Sequence, residues 1–303
     1  MTLDEKLDAM TLAEQVSLLS GASFWRTAAI ERLGIPAVKM TDGPNGARGE
    51  DFSGGVRSAA YPVAIALAAT FDPDLVHEIG ADLAREARSK GARILLGPTV
   101  NMHRNPLNGR NFECFSEDPV LASAMAVTYV RGVQSQGVAA TIKHFIGNEC
   151  EHERRTTSSE IDEKTLREIY FPPFEAAVKE AGVACVMTAY NALNGVHTSE
   201  NPWLLDTVLR QEWGFEGVVM SDWTATHSTA AALLAGLDLE MPGPGKFRGD
   251  MLVEAVENGD VPREAVRRAA RRVLRLIERV GAKTTDDLET ERAEDRPETR
   301  ALI

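Results

Sequence analysis

Val218-Val219-Met220-Ser221-Asp222-Trp223 is an unbroken apolar triplet that ends in a carboxylate and an indole. A strand with one wet face alternates apolar and polar side chains. A continuous apolar run instead marks a strand buried on both faces, as in a parallel sheet covered by helices. The pattern recurs broadly at residues 93–96, 139–142 and 183–188, and residues 37–40, 63–67 and the short Leu237-Asp238-Leu239 complete the set of strand candidates. Helical segments separate them. Asp72-Pro73 supplies an N-cap and first-turn proline for a helix to about Lys90, closed by Gly91. A second runs from about Pro119 to Gln136, with Gly137 as its stop. A third starts at Asp162 and continues to about Glu180, bent or broken by Pro172-Pro173. Four more are read at about residues 201–212, 226–235, 248–258 and 262–280.

Alternating buried strands and helices predict an α/β fold, a (β/α)8 TIM-type barrel with room for one irregular or missing strand. The alternative is an open doubly wound sheet. It would usually carry a glycine-rich phosphate turn after its first strand, and no G-x-G-x-x-G follows any strand here. Residues 1–281 are read as the barrel. Residues 282–303 are charged, poor in apolar side chains and broken by Pro297, which reads as a linker leaving a finished domain.

Composition narrows the function. The 303 residues hold 33 Lys and Arg against 45 Asp and Glu, a net charge of −12, so no positive field favours a nucleic-acid partner. No apolar run approaches the ~18 residues of a membrane span. Met1-Thr-Leu-Asp-Glu-Lys lacks the apolar core of a secretion signal, so the expectation is a cytoplasmic protein. Cys114, Cys150 and Cys185 form no C-x-x-C pair and the six histidines form no H-E-x-x-H. Neither a metal nor another cofactor is expected. The arginines of segment 262–280 read as an exposed face paired with carboxylates rather than as an anion surface.

Parallel barrels gather chemistry at the carboxyl ends of their strands. Those ends carry Asp42, Asn101, Lys143-His144, Tyr190-Asn191, Asp222-Trp223 and Glu240. Asp222 stands at the mouth beside Trp223, whose indole offers a flat face to a ligand. The bland alternative is a cap for the following helix, a task that Thr224 or Thr226 can also do. Lys143-His144 suits two donors gripping vicinal hydroxyls, a Schiff-base lysine, or a surface lysine beside a hydrogen-bonded histidine. Asp42 sits in Thr41-Asp42-Gly43-Pro44, which is also a plain turn signal. Arg104 and Arg110 lie on a long polar loop, a place where binding groups concentrate. Tyr190 offers a phenolic hydroxyl or simple packing.

Together these stretches resemble a known family. Thr41-Asp42-Gly43-Pro44, Gly109-Arg110-Asn111-Phe112-Glu113 with Ser116-Glu117-Asp118-Pro119, Lys143-His144-Phe145, Met187-Thr188-Ala189-Tyr190-Asn191 and Val219-Met220-Ser221-Asp222-Trp223 are similar, in order and approximate spacing, to the N-terminal barrel of family 3 glycoside hydrolases, on the bacterial β-glucosidase branch. The likeness covers about residues 5–281. It implies retaining hydrolysis of terminal β-D-glucosyl residues, with Asp222 as nucleophile. It also implies that Asp42, Arg110, Lys143, His144 and Tyr190 bind the sugar, Trp223 walls the subsite, and Arg104 is a weaker candidate for the same pocket.

The resemblance also implies a second carboxyl as acid/base, which in such β-glucosidases comes from a following α/β sandwich domain. That domain is expected as a missing partner in cis or in trans, and an exposed apolar patch is expected where it docks. The single-domain N-acetylglucosaminidase branch instead carries a histidine–aspartate acid/base after the Lys-His motif. The corresponding loop, Gly147 to Arg155, lacks that pattern but offers His152 as a substitute acid. A sugar-binding barrel without turnover, and an aldolase using Lys143, are the remaining readings.

Overall fold

The computed structural model describes all 303 residues. Five parallel strands form one sheet in the order β1 (Met40–Asp42), β2 (Ile94–Leu96), β3 (Ala139–Phe145), β4 (Cys185–Thr188) and β5 (Val218–Met220). Met40 pairs with Ile94, Ile94 with Ala139, Thr141 with Cys185, and Cys185 with Val218. Every residue of β2, β3, β4 and β5 is buried, as their continuous apolar runs require.

The ring is completed by short segments. Leu239 bridges Met220 in parallel, and Ser20 bridges Glu240. Gly21 then pairs with Thr27, and Arg26 with Lys39, both antiparallel, which returns the chain to β1. The ring is therefore completed through isolated bridges and an inverted N-terminal stretch rather than by further regular strands. The irregularity expected from the sequence is located here.

One strand candidate is corrected. Residues 63–67 belong to a helix, α3 (Ala64–Ala68), which buries Ala64, Leu67 and Ala68. Its alternating alanines favour helix strongly, and the i, i+3, i+4 spacing of the buried positions is a helical face. An apolar run this short does not separate helix from strand by pattern alone.

The other main helices are α1 (Leu3–Ala9), α2 (Leu12–Ser17), α4 (Pro73–Ser89), α5 (Pro119–Ser135), α6 (Pro172–Lys179), α7 (Trp203–Glu212, of π character), α8 (Ala230–Ala235), α9 (Asp250–Glu257), α10 (Arg263–Arg279) and α11 (Pro297–Leu302). A helical turn Glu163–Thr165, capped by Asp162, and a π segment Leu166–Tyr170 lead into α6. Thr2 and Thr11 each close a capping box, with Glu5 and Glu14. Asp72 and Asp118 cap α4 and α5 ahead of their first-turn prolines. The apolar interior splits into a cluster between sheet and helices, including Leu95, Ile142, Val186 and Val219, and one that includes Met40, Ile94, Met187, Met220 and the inner face of α10.

The arginines of α10 do pair with carboxylates: Arg267 with Asp8 at 2.7 Å, Arg271 with Asp4, and Arg272 with Asp238 at 2.9 Å. The charged stretch 282–303, read as a linker, lies along the barrel. Asp286 holds Arg93 at 3.1 Å, Glu291 holds the buried Lys39 at 2.9 Å, and Thr299 reaches Asp82 of α4 at 2.5 Å.

Candidate active site

A pocket of about 310 Å³ opens at the carboxyl ends of the strands, lined by Asp42, Arg110, Lys143, His144, Tyr190, Asp222 and Trp223 among others. They come from five separate segments of the barrel. Asp42 ends β1, Lys143 and His144 lie within β3, Tyr190 follows β4, and Asp222 and Trp223 follow β5. Parallel strands that start at one end of a barrel deliver their last residues to the same rim, so widely spaced motifs converge.

Asp222 lies at the centre. Its Oδ1 accepts the Trp223 N–H at 2.7 Å, and its Oδ2 lies 3.6 Å from His144 Nε2. Burial pushes its carboxyl above the ordinary aspartate value; the charges of Lys143 and Arg110, the Trp223 N–H and Tyr190 pull it back. Tyr190 is itself pushed up to about 12, by burial first and then by the Asp222 charge, so its hydroxyl keeps its proton and can donate.

Asp42 has the opposite balance. Burial would raise its carboxyl, but the ion pair with Lys143 Nζ at 2.6 Å outweighs it, and Arg48 adds a contact at 3.3 Å. The result is a carboxylate held below its ordinary value. His144 is held far below the usual imidazole value by burial and by the charges of Arg110 and Lys143, and is therefore neutral. The hydrogen-bond network assigns its tautomer: Arg110 Nη2 donates to Nε2 at 3.1 Å, and Nδ1–H donates to Asn101 Oδ1 at 3.2 Å. Burial works against the charge of Arg110, but Glu113, Glu151 and Asp222 sustain it.

One wall is aromatic. Trp223 packs against Trp25 and Phe24 at 5.3 and 6.2 Å between ring centres, and Phe52 continues the cluster at 5.8 Å from Trp25. On the other side Arg154 and Arg155 stack on Tyr190, at 4.4 and 5.1 Å from its ring centre. No group of three or more metal-ligating side chains occurs.

Two sequence candidates fall outside this pocket. Arg104 lies over the ring of Tyr170 at 5.8 Å and is not among the lining residues. Its loop carries it away from the rim while Arg110 turns back towards His144. His152 sits exposed on a turn and also misses the lining. Conversely, sequence reading missed Trp25, Phe52, Arg48, Arg154 and Arg155. Arg48 had a usable signal, a cation six residues beyond a strand-end aspartate in the same turn-rich loop. Trp25 had none, because it reaches the rim on the inverted segment that closes the ring.

Comparisons with known proteins identify the family of the chain. Residues 9–276 match the family described as "Glycosyl hydrolase family 3 N terminal domain". A beta-glucosidase of Rhizobium radiobacter is 65% identical over 99% of this chain, which spans 37% of that relative, and beta-glucosidase B of Emericella nidulans is 51% identical over 99% of the chain and 36% of its own length. The crystal structure of a beta-glucosidase from Kluyveromyces marxianus in complex with glucose superposes with a TM-score of 0.96 at 44% identity, covering 100% of this chain and 37% of that one. The chain thus spans little more than a third of the relatives it matches, and it belongs to the N-terminal domain family of glycosyl hydrolase family 3.

Proposed function

We propose that this chain supplies the nucleophile and the glycone subsite for retaining hydrolysis of terminal β-D-glucosyl residues. The observation that carries the reading is the Asp222 carboxylate, set at the barrel mouth among the donors Lys143, Arg110 and Tyr190 and beside the indole of Trp223. The names of the relatives, beta-glucosidases from a bacterium and a fungus, supply the substrate class.

In the first step an oxygen of Asp222 attacks the anomeric carbon and the bond to the leaving oxygen breaks. That oxygen takes a proton from a general acid, leaving a glycosyl ester on Asp222. In the second step water attacks the same carbon and gives its proton to the same acid/base group, and Asp222 is released. Neighbouring cations keep Asp222 ionised for attack. Asp42 and Lys143 form an acceptor and donor pair for adjacent sugar hydroxyls, and the neutral His144 stays fixed between Arg110 and Asn101. This pairing also weighs against an aldolase, since the Lys143 amine is engaged by Asp42 rather than free to form an imine.

We assign the proton donor to a further domain, in cis or in trans. Asp42 and Asp222 are the carboxyls lining the pocket, and Asp42, ionised and paired, is unsuited to donate. Phe52 and Phe112, 64% and 53% exposed, line a neighbouring groove that offers such a domain an apolar edge.

The test is mass spectrometry after incubation with a 2-deoxy-2-fluoro-β-glucoside bearing a dinitrophenyl leaving group, which needs little proton assistance. One added sugar, mapped to Asp222, is expected. Reversible glucose binding without any adduct would indicate a sugar-binding barrel instead.

A further inference from the structure

The loop of residues 43–61, between β1 and α3, has no regular secondary structure, yet it places Arg48 and Phe52 in the pocket wall. On its inner side it is held by Arg48 N–H to Asp42 O at 3.0 Å and Gly49 N–H to Thr41 Oγ1 at 2.9 Å. On its outer side Trp25 Nε1–H donates to Glu50 O at 2.9 Å and Arg26 pairs with the Glu50 carboxylate, and further holding groups come from the far end of the chain. Glu291 Oε1 accepts the Glu50 N–H at 3.0 Å and the Lys39 ammonium at 2.9 Å. Lys39 is fully buried and also reaches Glu50 Oε1 at 2.8 Å and Leu288 O at 3.0 Å. The approach is close: a Cβ on Gly49, whose φ is +82°, would stand 2.4 Å from Glu291 Oε2. Two more ties follow the same course. Lys90 Nζ joins Arg57 O at 2.9 Å to Arg292 O at 2.6 Å, and Asp82 accepts both Tyr61 Oη at 2.6 Å and Thr299 Oγ1 at 2.5 Å.

We propose that Glu291 is a positioning residue for the glycone pocket, holding the Glu50 backbone so that Arg48 and Phe52 stand in its wall. The proposal rests on the glycosidase reading above. Glu50 lies two residues from each of those side chains, and its N–H meets a carboxylate that a buried lysine fixes in place, a charge-assisted contact. Loss of Glu291 leaves the inner anchors, the ties of Lys39, Arg26 and Trp25 to Glu50 and the barrel intact, but removes the acceptor that fixes the Glu50 N–H. Glu291 touches no substrate, so binding of the sugar should suffer more than the chemistry at Asp222.

The test uses the full chain as wild type, Glu291→Ala, Glu291→Gln and Glu289→Ala. Glu289 is exposed and pairs only with Arg26, at 3.3 Å, so it serves as the control. Affinity for glucose by calorimetry is measured beside the binding and first-order constants for inactivation by the fluoro-glucoside. Amide exchange over residues 43–61 is followed in parallel. Glu291→Ala is expected to weaken binding about three- to tenfold, the loss of one or two hydrogen bonds, with the first-order constant nearly unchanged. Its loop amides should exchange faster. Glu291→Gln, which keeps an acceptor for the Glu50 N–H, should recover most of the affinity, and Glu289→Ala should match wild type. Wild-type affinity in Glu291→Ala, an equal loss in Glu289→Ala, or faster exchange spread through the whole barrel would overturn the proposal. A wild-type chain that neither binds glucose nor takes label overturns the glycosidase reading, and the proposal with it.

Discussion

Lys143 Nζ lies 2.6 Å from Asp42 Oδ1, although the two residues are 101 positions apart in the chain. The pair joins the ends of β1 and β3 at the pocket and holds the Asp42 carboxyl below its ordinary value. Lys143→Met would leave Asp42 with only the longer Arg48 contact. Glucose affinity is expected to fall at least about tenfold, in the range of breaking a buried charged contact. The pH response has a definite sign. Because the Asp42 carboxyl is held low, its stabilisation is present above the ordinary aspartate value of 3.8 and is lost only as pH falls through the lower folded value. The variant should therefore begin acid unfolding at higher pH than wild type, which circular dichroism against pH would reveal.

Asp222→Asn tests the nucleophile and a stability cost together. Labelling by the fluoro-glucoside should drop by at least about 10³-fold, as expected for removal of an attacking group. Burial raises the Asp222 carboxyl, so the ionised form is disfavoured in the folded protein, and stability is lost as pH rises through the folded value. At neutral pH the asparagine variant should thus melt at the same temperature or higher. A markedly lower Tm would contradict this account of the site's electrostatics.

Asn101 makes three contacts with His144: it accepts the backbone N–H at 2.9 Å and Nδ1–H at 3.2 Å, and donates to the carbonyl at 3.1 Å. Asn101→Ala leaves buried donors unpaired, a cost of about 1–3 kcal/mol. Denaturant midpoints should fall accordingly. The labelling rate should fall too, because the imidazole loses the partner that sets its tautomer.

Glu149 stands behind that asparagine, accepting from Asn101 Nδ2 and the Met102 N–H, each at 3.2 Å. Burial, partly offset by these donors and Arg104, pushes its carboxyl up to about 7 from 4.5. Stability linked to Glu149 is full below the ordinary value and declines as pH rises through about 7. Glu149→Gln should remove this slope. Urea midpoints of wild type and variant at pH 5 and pH 8 would converge at the lower pH and separate at the higher, with the variant the more stable.

Much of the barrel was legible because burial on both faces leaves a local mark. The runs that became β2, β4, β5 and the first part of β3 are largely apolar, and Asp72-Pro73 announces its helix by capping chemistry. Residues 63–67 misled for the converse reason: seven apolar residues in succession, Val63 to Ala69, are compatible with either element, and alanine content decided for helix. The ends of the strands were legible as well, since a polar residue directly after a buried run has few structural reasons to be there.

By itself the sequence determined that a parallel, helix-covered barrel would form and that Asp42, Lys143, His144, Tyr190 and Asp222 would emerge at its strand ends. Local patterning and parallel topology suffice for that, because every strand delivers its terminus to one rim. Only the tertiary structure decided which loop residues join them. Arg110 turns inward to His144 while Arg104 turns away to Tyr170, and Trp25 reaches the wall on an inverted segment. It also decided that residues 282–303 lie against the barrel, through Lys39, Lys90 and Asp82. A side chain's direction on an irregular loop depends on partners hundreds of residues away, and no local periodicity records them.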